Sequence, residues 1–90
     1  MILKRTGPAT VNIQRGGFEF RMMNGDIAIK FTVGFSVVRD LDGREVMPGQ
    51  IPIQFERCRG RIEDVAERVF FSRQPHSDKA VALTRADFFG

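Results

Sequence analysis

The chain holds one histidine, His76, and one cysteine, Cys58, so any chemistry that pairs a thiolate with an imidazole rests on these two side chains. Cys58 falls on an apolar helical repeat and His76 sits beside Pro75 in a polar stretch, a layout that separates them. Both read as structural, since a free cysteine packs as a small hydrophobe. Two nitrogen or sulfur ligands also fall short of the set of about four that holds structural zinc. Asp40, Asp42 and Glu45 crowd one loop, but that loop lacks the ligand order and glycine placement of a calcium hand, so they read as solvated turn charges. Gly16-Gly17 precedes a strand rather than opening a helix, and no phosphate-cradling or dinucleotide-binding glycine motif occurs. Arg15-Gly16-Gly17 is a single basic glycine-rich unit and reads as a bend or bulge. The expectation is a protein that is not an enzyme, with no catalytic residue, no metal and no cofactor.

The charged feature that stands out is Arg57, Arg59 and Arg61 near the start of a helix, followed by Glu63, Asp64 and Glu67. Helix ends favour the opposite order, so these residues work against the macrodipole. One explanation pairs the arginines with the loop carboxylates Asp40, Asp42 or Glu45, with Asp64 and Arg68 adding an i,i+4 pair. The other lets Arg57, Arg59 and Arg61 grip phosphates or an acidic partner. Pairing is the favoured reading, because solvated charge faces are common. Phe88 and Phe89 near the C-terminus are the candidate apolar interface.

The elements that must position these residues follow from composition and periodicity. Ninety residues make one domain, 1–90, with one modest core. Nine Phe with no Trp or Tyr suit that core better than a polar-tipped contact surface. The net charge of +3 lies in the ordinary range for soluble domains and is spread evenly, with 7 cations and 5 anions in residues 1–45 against 7 and 6 in 46–90. A lone cysteine, early charge in Met1-Ile2-Leu3-Lys4-Arg5 and the lack of a long apolar run point to a reducing cytoplasm, with no membrane partner.

Two alternating runs, Phe18 to Met23 and Asp26 to Val33, flank Asn24-Gly25 and predict a hairpin over 17–33. With Asn24 and Gly25 as the loop, Met22 faces Ile27, Phe20 faces Ile29, Phe18 faces Phe31, and Glu19 faces Lys30 on the other side. A slip of one residue would put Ile and Phe on the charged face. Ile51, Phe55, Cys58, Ile62, Val65 and Val69 keep one helical stripe, widened by Ala66 and Phe70. Pro52 suits the first turn and Gln74-Pro75 the end, placing the helix at about 52–72. Residues 79–84 read as a C-terminal strand, and Thr10 to Gln14 as a short strand. Gly34 to Leu41 reads either as a short helical turn capped by Ser36 or as a continuation of the strand. The fold class is α+β: a small antiparallel sheet, built from the 17–33 hairpin and the 79–84 strand, with one long helix packed on one face.

That order of elements resembles a family of small bacterial proteins, domain of unknown function 1488. The residues that carry the resemblance are Phe18 and Phe20, Asn24-Gly25, Ile27 to Val33, then Phe55, Arg59, Ile62 and Ala66, and finally Leu83 with Asp87-Phe88. It spans about residues 17–89. The position before the helical Arg is often His in such proteins, and Cys58 stands there instead, which speaks against a shared titrating site. The resemblance implies this fold and a bacterial cytoplasmic setting, and it brings no activity. The expected function is a non-catalytic protein-binding or regulatory module, acting through a protein partner or as a homodimer. The alternative is a nucleic-acid-binding accessory or transcription-regulatory protein that uses the arginine-bearing helix face.

Overall fold

Alternation in the first third of the chain resolves into three strands, β1 (Lys4–Asn12), β2 (Gly17–Asn24) and β3 (Ile27–Gly34), each antiparallel to the next. The computed structural model describes residues 2–73 and 80–90. After β3 come α1 (Phe35–Asp42), a 3-10 turn (Pro48–Gln50), α2 (Ile51–Arg73), β4 (Val81–Leu83) and α3 (Arg85–Phe89). The sheet order is β1-β2-β3-β4, an α+β arrangement with the helices on one face.

The hairpin forms where the pattern places it, but its register is shifted by two residues. Asn24 pairs with Ile27, so Gly25 and Asp26 make the turn, with Gly25 at φ 60° supplying the left-handed conformation. Phe20 therefore faces Phe31, Met22 faces Ile29 and Phe18 faces Val33. The expected Glu19 to Lys30 pairing is replaced by Glu19 opposite Thr32 and Arg21 opposite Lys30. A shift of two preserves which side chains point inward, so alternation alone does not choose between the two registers. Packing does: the Phe20 and Phe31 rings lie 5.3 Å apart and nearly parallel, and Phe55 from α2 sits 4.8 Å from Phe18 and 5.5 Å from Phe20.

β4 corrects a second expectation, because it pairs parallel to β3 rather than antiparallel, with Phe31 beside Val81 and Val33 beside Leu83. The connection from β3 to β4 runs through α1 and α2, and such a crossover returns the chain in the same direction. The strand occupies Val81–Leu83, and Thr84 caps α3 instead of ending the strand: its amide donates to the Asp87 carboxylate at 2.7 Å. Lys79, His76 and the Gln74-Pro75 helix stop lie outside the described residues.

β1 is longer than the short strand expected near its end. It carries a bulge in which Gly7, Pro8 and Ala9 together oppose Phe20, with Gly7 at φ 68°. Gly34 to Leu41 resolves as a helix whose N-cap is Gly34 rather than Ser36. Gly17 is needed for a separate reason. A Cβ there would lie 2.4 Å from the Val33 carbonyl oxygen, a backbone atom that has no rotamer to escape into.

The core lies between the inner sheet face and α2. Phe18, Phe20, Met22, Phe31 and Val33 meet Phe55, Cys58, Ile62, Ala66 and Val69, all buried as the two periodicities require. Phe70 joins at the edge. Along the helix, no carboxylate stands in the first turn, and Arg57 is six residues past Ile51. The macrodipole acts mainly within the terminal turn, so its conflict with the arginines is weak.

Candidate partner interface

Arg57, Arg59 and Arg61 have three different environments. Arg57 donates to Asp42 through Nε at 3.2 Å and Nη2 at 2.8 Å, reaching the C-terminal end of α1. The buried Gln54 amide also donates to Asp42, at 3.1 Å, and to the Arg44 carbonyl oxygen at 2.7 Å, so one turn of α2 fastens the end of α1 and the loop after it. These donors, Arg57 first, hold the Asp42 carboxyl down at about 2. Asp40 is likewise lowered, chiefly by the hydrogen bond from Arg85 at 2.5 Å. Asp40 and Asp42, expected in one loop with Glu45, lie instead on α1, and both are engaged by arginines. Among the described residues no cluster of three or more His, Cys, Asp or Glu side chains is placed to hold a metal ion.

Arg59 is enclosed, with its side chain 5% exposed. Its Nη2 donates to the Gly7 carbonyl oxygen at 2.5 Å, Nη1 to Glu56 at 3.1 Å and Nε to Glu63 at 3.2 Å. Glu63, 4% exposed, also accepts from Nε and Nη2 of Arg5. One turn further, Glu67 accepts from the backbone amides of Ile2 and Leu3. Residues 59, 63 and 67 thus form a polar stripe at i,i+4 spacing that fastens the edge strand β1 to α2. Arg59 was a candidate partner or phosphate contact, with pairing to carboxylates the favoured expectation. In the structure each of its three nitrogens donates a hydrogen bond within the fold.

Arg61 is exposed and makes no hydrogen bond or ion pair among the described residues. The expected Asp64 to Arg68 pair is not formed, since Arg68 donates to the Asp87 carbonyl oxygen instead. At the C-terminus, Phe88 packs against the core and Phe89 is half exposed, with the Arg85 guanidinium 5.8 Å from its ring centre. Of the two, only Phe89 is displayed for an outside contact. Cys58 is buried, and burial pushes its thiol up from the usual value, the reverse of an activated nucleophile.

The outer face of the sheet is a further exposed surface. In each antiparallel pair, directly opposed residues share a face, so Lys4, Thr6, Thr10, Glu19, Arg21, Met23, Lys30 and Thr32 all point away from the helices. The signal was present in the alternation. Most outward positions of the strands are polar or charged, with Met23 and Ala28 among the exceptions, but that pattern is also what any half-buried strand shows.

Fold and surface together define a two-layer α+β domain with helices on one sheet face and the other face open. The chain belongs to the family described as "Protein of unknown function (DUF1488)", whose model matches residues 6–83. It is similar to the crystal structure of a DUF1488 protein of unknown function from Shewanella loihica PV-4, with a TM-score of 0.78 and 19% identity over 91% of each chain. At that identity the likeness establishes the fold. No curated protein matches the chain. Among the described residues no helix is long and apolar enough to cross a membrane.

Proposed function

We propose that this protein is a non-catalytic protein-binding or regulatory module of the bacterial cytoplasm, acting through a protein partner or through a second copy of itself. The observation that carries the reading is the uncovered outer face of a sheet whose inner face is fully occupied. A four-stranded sheet with one free face presents a rigid, preformed contact surface, and preformed surfaces bind with little ordering cost. The half-exposed Phe89 adds an apolar element at the C-terminal end. A protein partner is preferred over nucleic acid because Arg57 is held by Asp42 and Arg59 is enclosed, which leaves Arg61 alone of the three helix arginines without a partner among the described residues.

Light scattering at micromolar concentration, combined with in-cell crosslinking and mass spectrometry, tests the proposal. The expected result is a dimer, or one recurrent partner crosslinked at defined residues. A strictly monomeric profile with no recurrent crosslinked protein refutes it.

A further inference from the structure

We propose that the open face of the sheet, centred on Lys4, Arg21 and Lys30, docks an extended acidic segment of a protein partner. This rests on the protein-binding reading above and names the chemistry of the partner. Arg21 on β2 lies directly opposite Lys30 on β3 and opposite Thr6 on β1. Lys4 lies opposite Met23, one diagonal step from Arg21. All three cations are exposed, and none makes an ion pair among the described residues. Arg15 extends the basic side toward the far end, where it lines a shallow hollow with Asn12, Glu19 and Thr32.

The contrast with the helical side gives the face its meaning. There six arginines, Arg5, Arg39, Arg57, Arg59, Arg73 and Arg85, have carboxylate partners, and Arg44, Arg61 and Arg68 have none among the described residues. On the sheet side the carboxylate among the described strands is Glu19, one diagonal step from Lys30, and it accepts a hydrogen bond from the Asn12 side-chain amide at 3.4 Å. Like charges placed directly opposite on a sheet repel, and the fold leaves Arg21 and Lys30 in that relation. A carboxylate seated between them removes the repulsion and gains charge-assisted hydrogen bonds.

Shape and composition choose among anionic partners. Gly7 and Pro8 of the bulge form one wall of a hollow of about 380 Å³ that is lined also by Thr6, Thr10, Glu19, Phe20, Arg21 and Lys30, two cations against one carboxylate. The threonine hydroxyls are donors for carboxylate or peptide oxygens. Sheets that bind single-stranded nucleic acid present aromatic rings on which bases stack. Here the sheet phenylalanines Phe18, Phe20 and Phe31 are all buried toward the helices, and the chain has no Trp or Tyr. Adding a strand at the β1 edge is disfavoured by the bulge, by Pro8 and by the inward-turned Arg5. The segment therefore lies across the face instead of extending the sheet.

The test uses the whole protein and an oligo-glutamate peptide of about ten residues, which spans about 35 Å when extended, comparable to the molecule's 36 Å long axis. Amide chemical-shift mapping is expected to move residues 4, 6, 21 and 30, and affinity is expected to fall as salt rises toward about 150 mM. Arg21→Glu or Lys30→Glu should weaken binding about tenfold or more, while Arg44→Glu, the same charge change on an exposed loop, should not. Arg21→Glu also places opposite charges across the strand pair, so it should fold at least as stably as the parent. The inference is overturned by an absence of shifts at these residues, by an equal loss in Arg44→Glu, or by tighter binding of a single-stranded oligonucleotide of equal charge. If it is overturned while Arg21→Glu still crosslinks the parent's partner, the protein-binding reading stands and only its location fails.

Discussion

Removing the Glu63 carboxylate should be among the most damaging single changes to this fold. The buried Arg59 guanidinium depends on Glu63 for one of three polar contacts and, among the described residues, for its only enclosed counter-charge, since its other carboxylate partner, Glu56, is 52% exposed. Breaking a buried pair by deleting one partner typically costs about 3–5 kcal/mol, because the remaining charge is stranded. Stability for a chain of 90 residues is about 5–13 kcal/mol at the usual per-residue range. Glu63→Leu should therefore lower the melting temperature by about 12–40 °C, at about 4–8 °C per kcal/mol for a domain of this size. Arg59→Met should cost less, about 1–2 kcal/mol, because Glu63 keeps its hydrogen bonds from Nε and Nη2 of Arg5 and the exposed Gly7 can turn its carbonyl to water. The double variant replaces the pair with apolar side chains, which is often close to neutral, so its cost should fall short of the summed single costs, about 4–7 kcal/mol, by most of that sum. Urea unfolding of the parent, both single variants and the double variant closes the cycle, with Glu63→Gln as a milder replacement should Glu63→Leu not fold. Additivity within about 0.5 kcal/mol, or a Glu63→Leu cost below about 1 kcal/mol, would falsify the account of the stripe as a fastening for β1.

Two further perturbations separate local geometry from charge. Gly17→Ala should destabilise by about 1–3 kcal/mol or prevent folding, since its Cβ meets the Val33 carbonyl oxygen, whereas Gly60→Ala, with open space around it in the middle of α2, should stabilise by about 0.5–1 kcal/mol. Thermal melts that rank the two in the opposite order refute the close-approach argument. Asp42, held at about 2 against an ordinary 3.8, contributes stability that is present above about pH 4 and lost as pH falls through 2. The stability gap between the parent and Asp42→Asn should accordingly shrink from pH 7 toward pH 2 in urea titrations, and a gap that stays constant over that range contradicts the Arg57 to Asp42 pairing.

Much of the fold was legible in the chain. Period-two alternation around Asn24-Gly25 located the hairpin, because a half-buried sheet requires it, and the stripe from Ile51 to Val69 located α2 almost to the residue. The inward face of each strand followed from the same alternation, and so did the burial of Cys58. The candidate site was less legible. Arg57, Arg59 and Arg61 look alike in sequence, with spacing that places them on neighbouring turns of one helix. Which of them is spent inside the fold depends on where β1 and the end of α1 come to rest.

What the sequence determined, then, was local: where each element lies, which of its sides is apolar, and that sheet and long helix must cover one another to bury those sides. Everything that requires two distant segments to meet was decided in three dimensions. The hairpin register differs by two from the expected one because both registers satisfy alternation, and the observed one stacks Phe20 on Phe31 beneath Phe55. β4 runs parallel because the chain crosses over through α1 and α2 before returning to β3. Arg59 became a buried fastening because the bulge in β1 aims the Gly7 carbonyl at it. Lys4, Arg21 and Lys30, scattered over 27 positions of chain, became one basic surface because antiparallel pairing sets side by side residues that the sequence keeps apart.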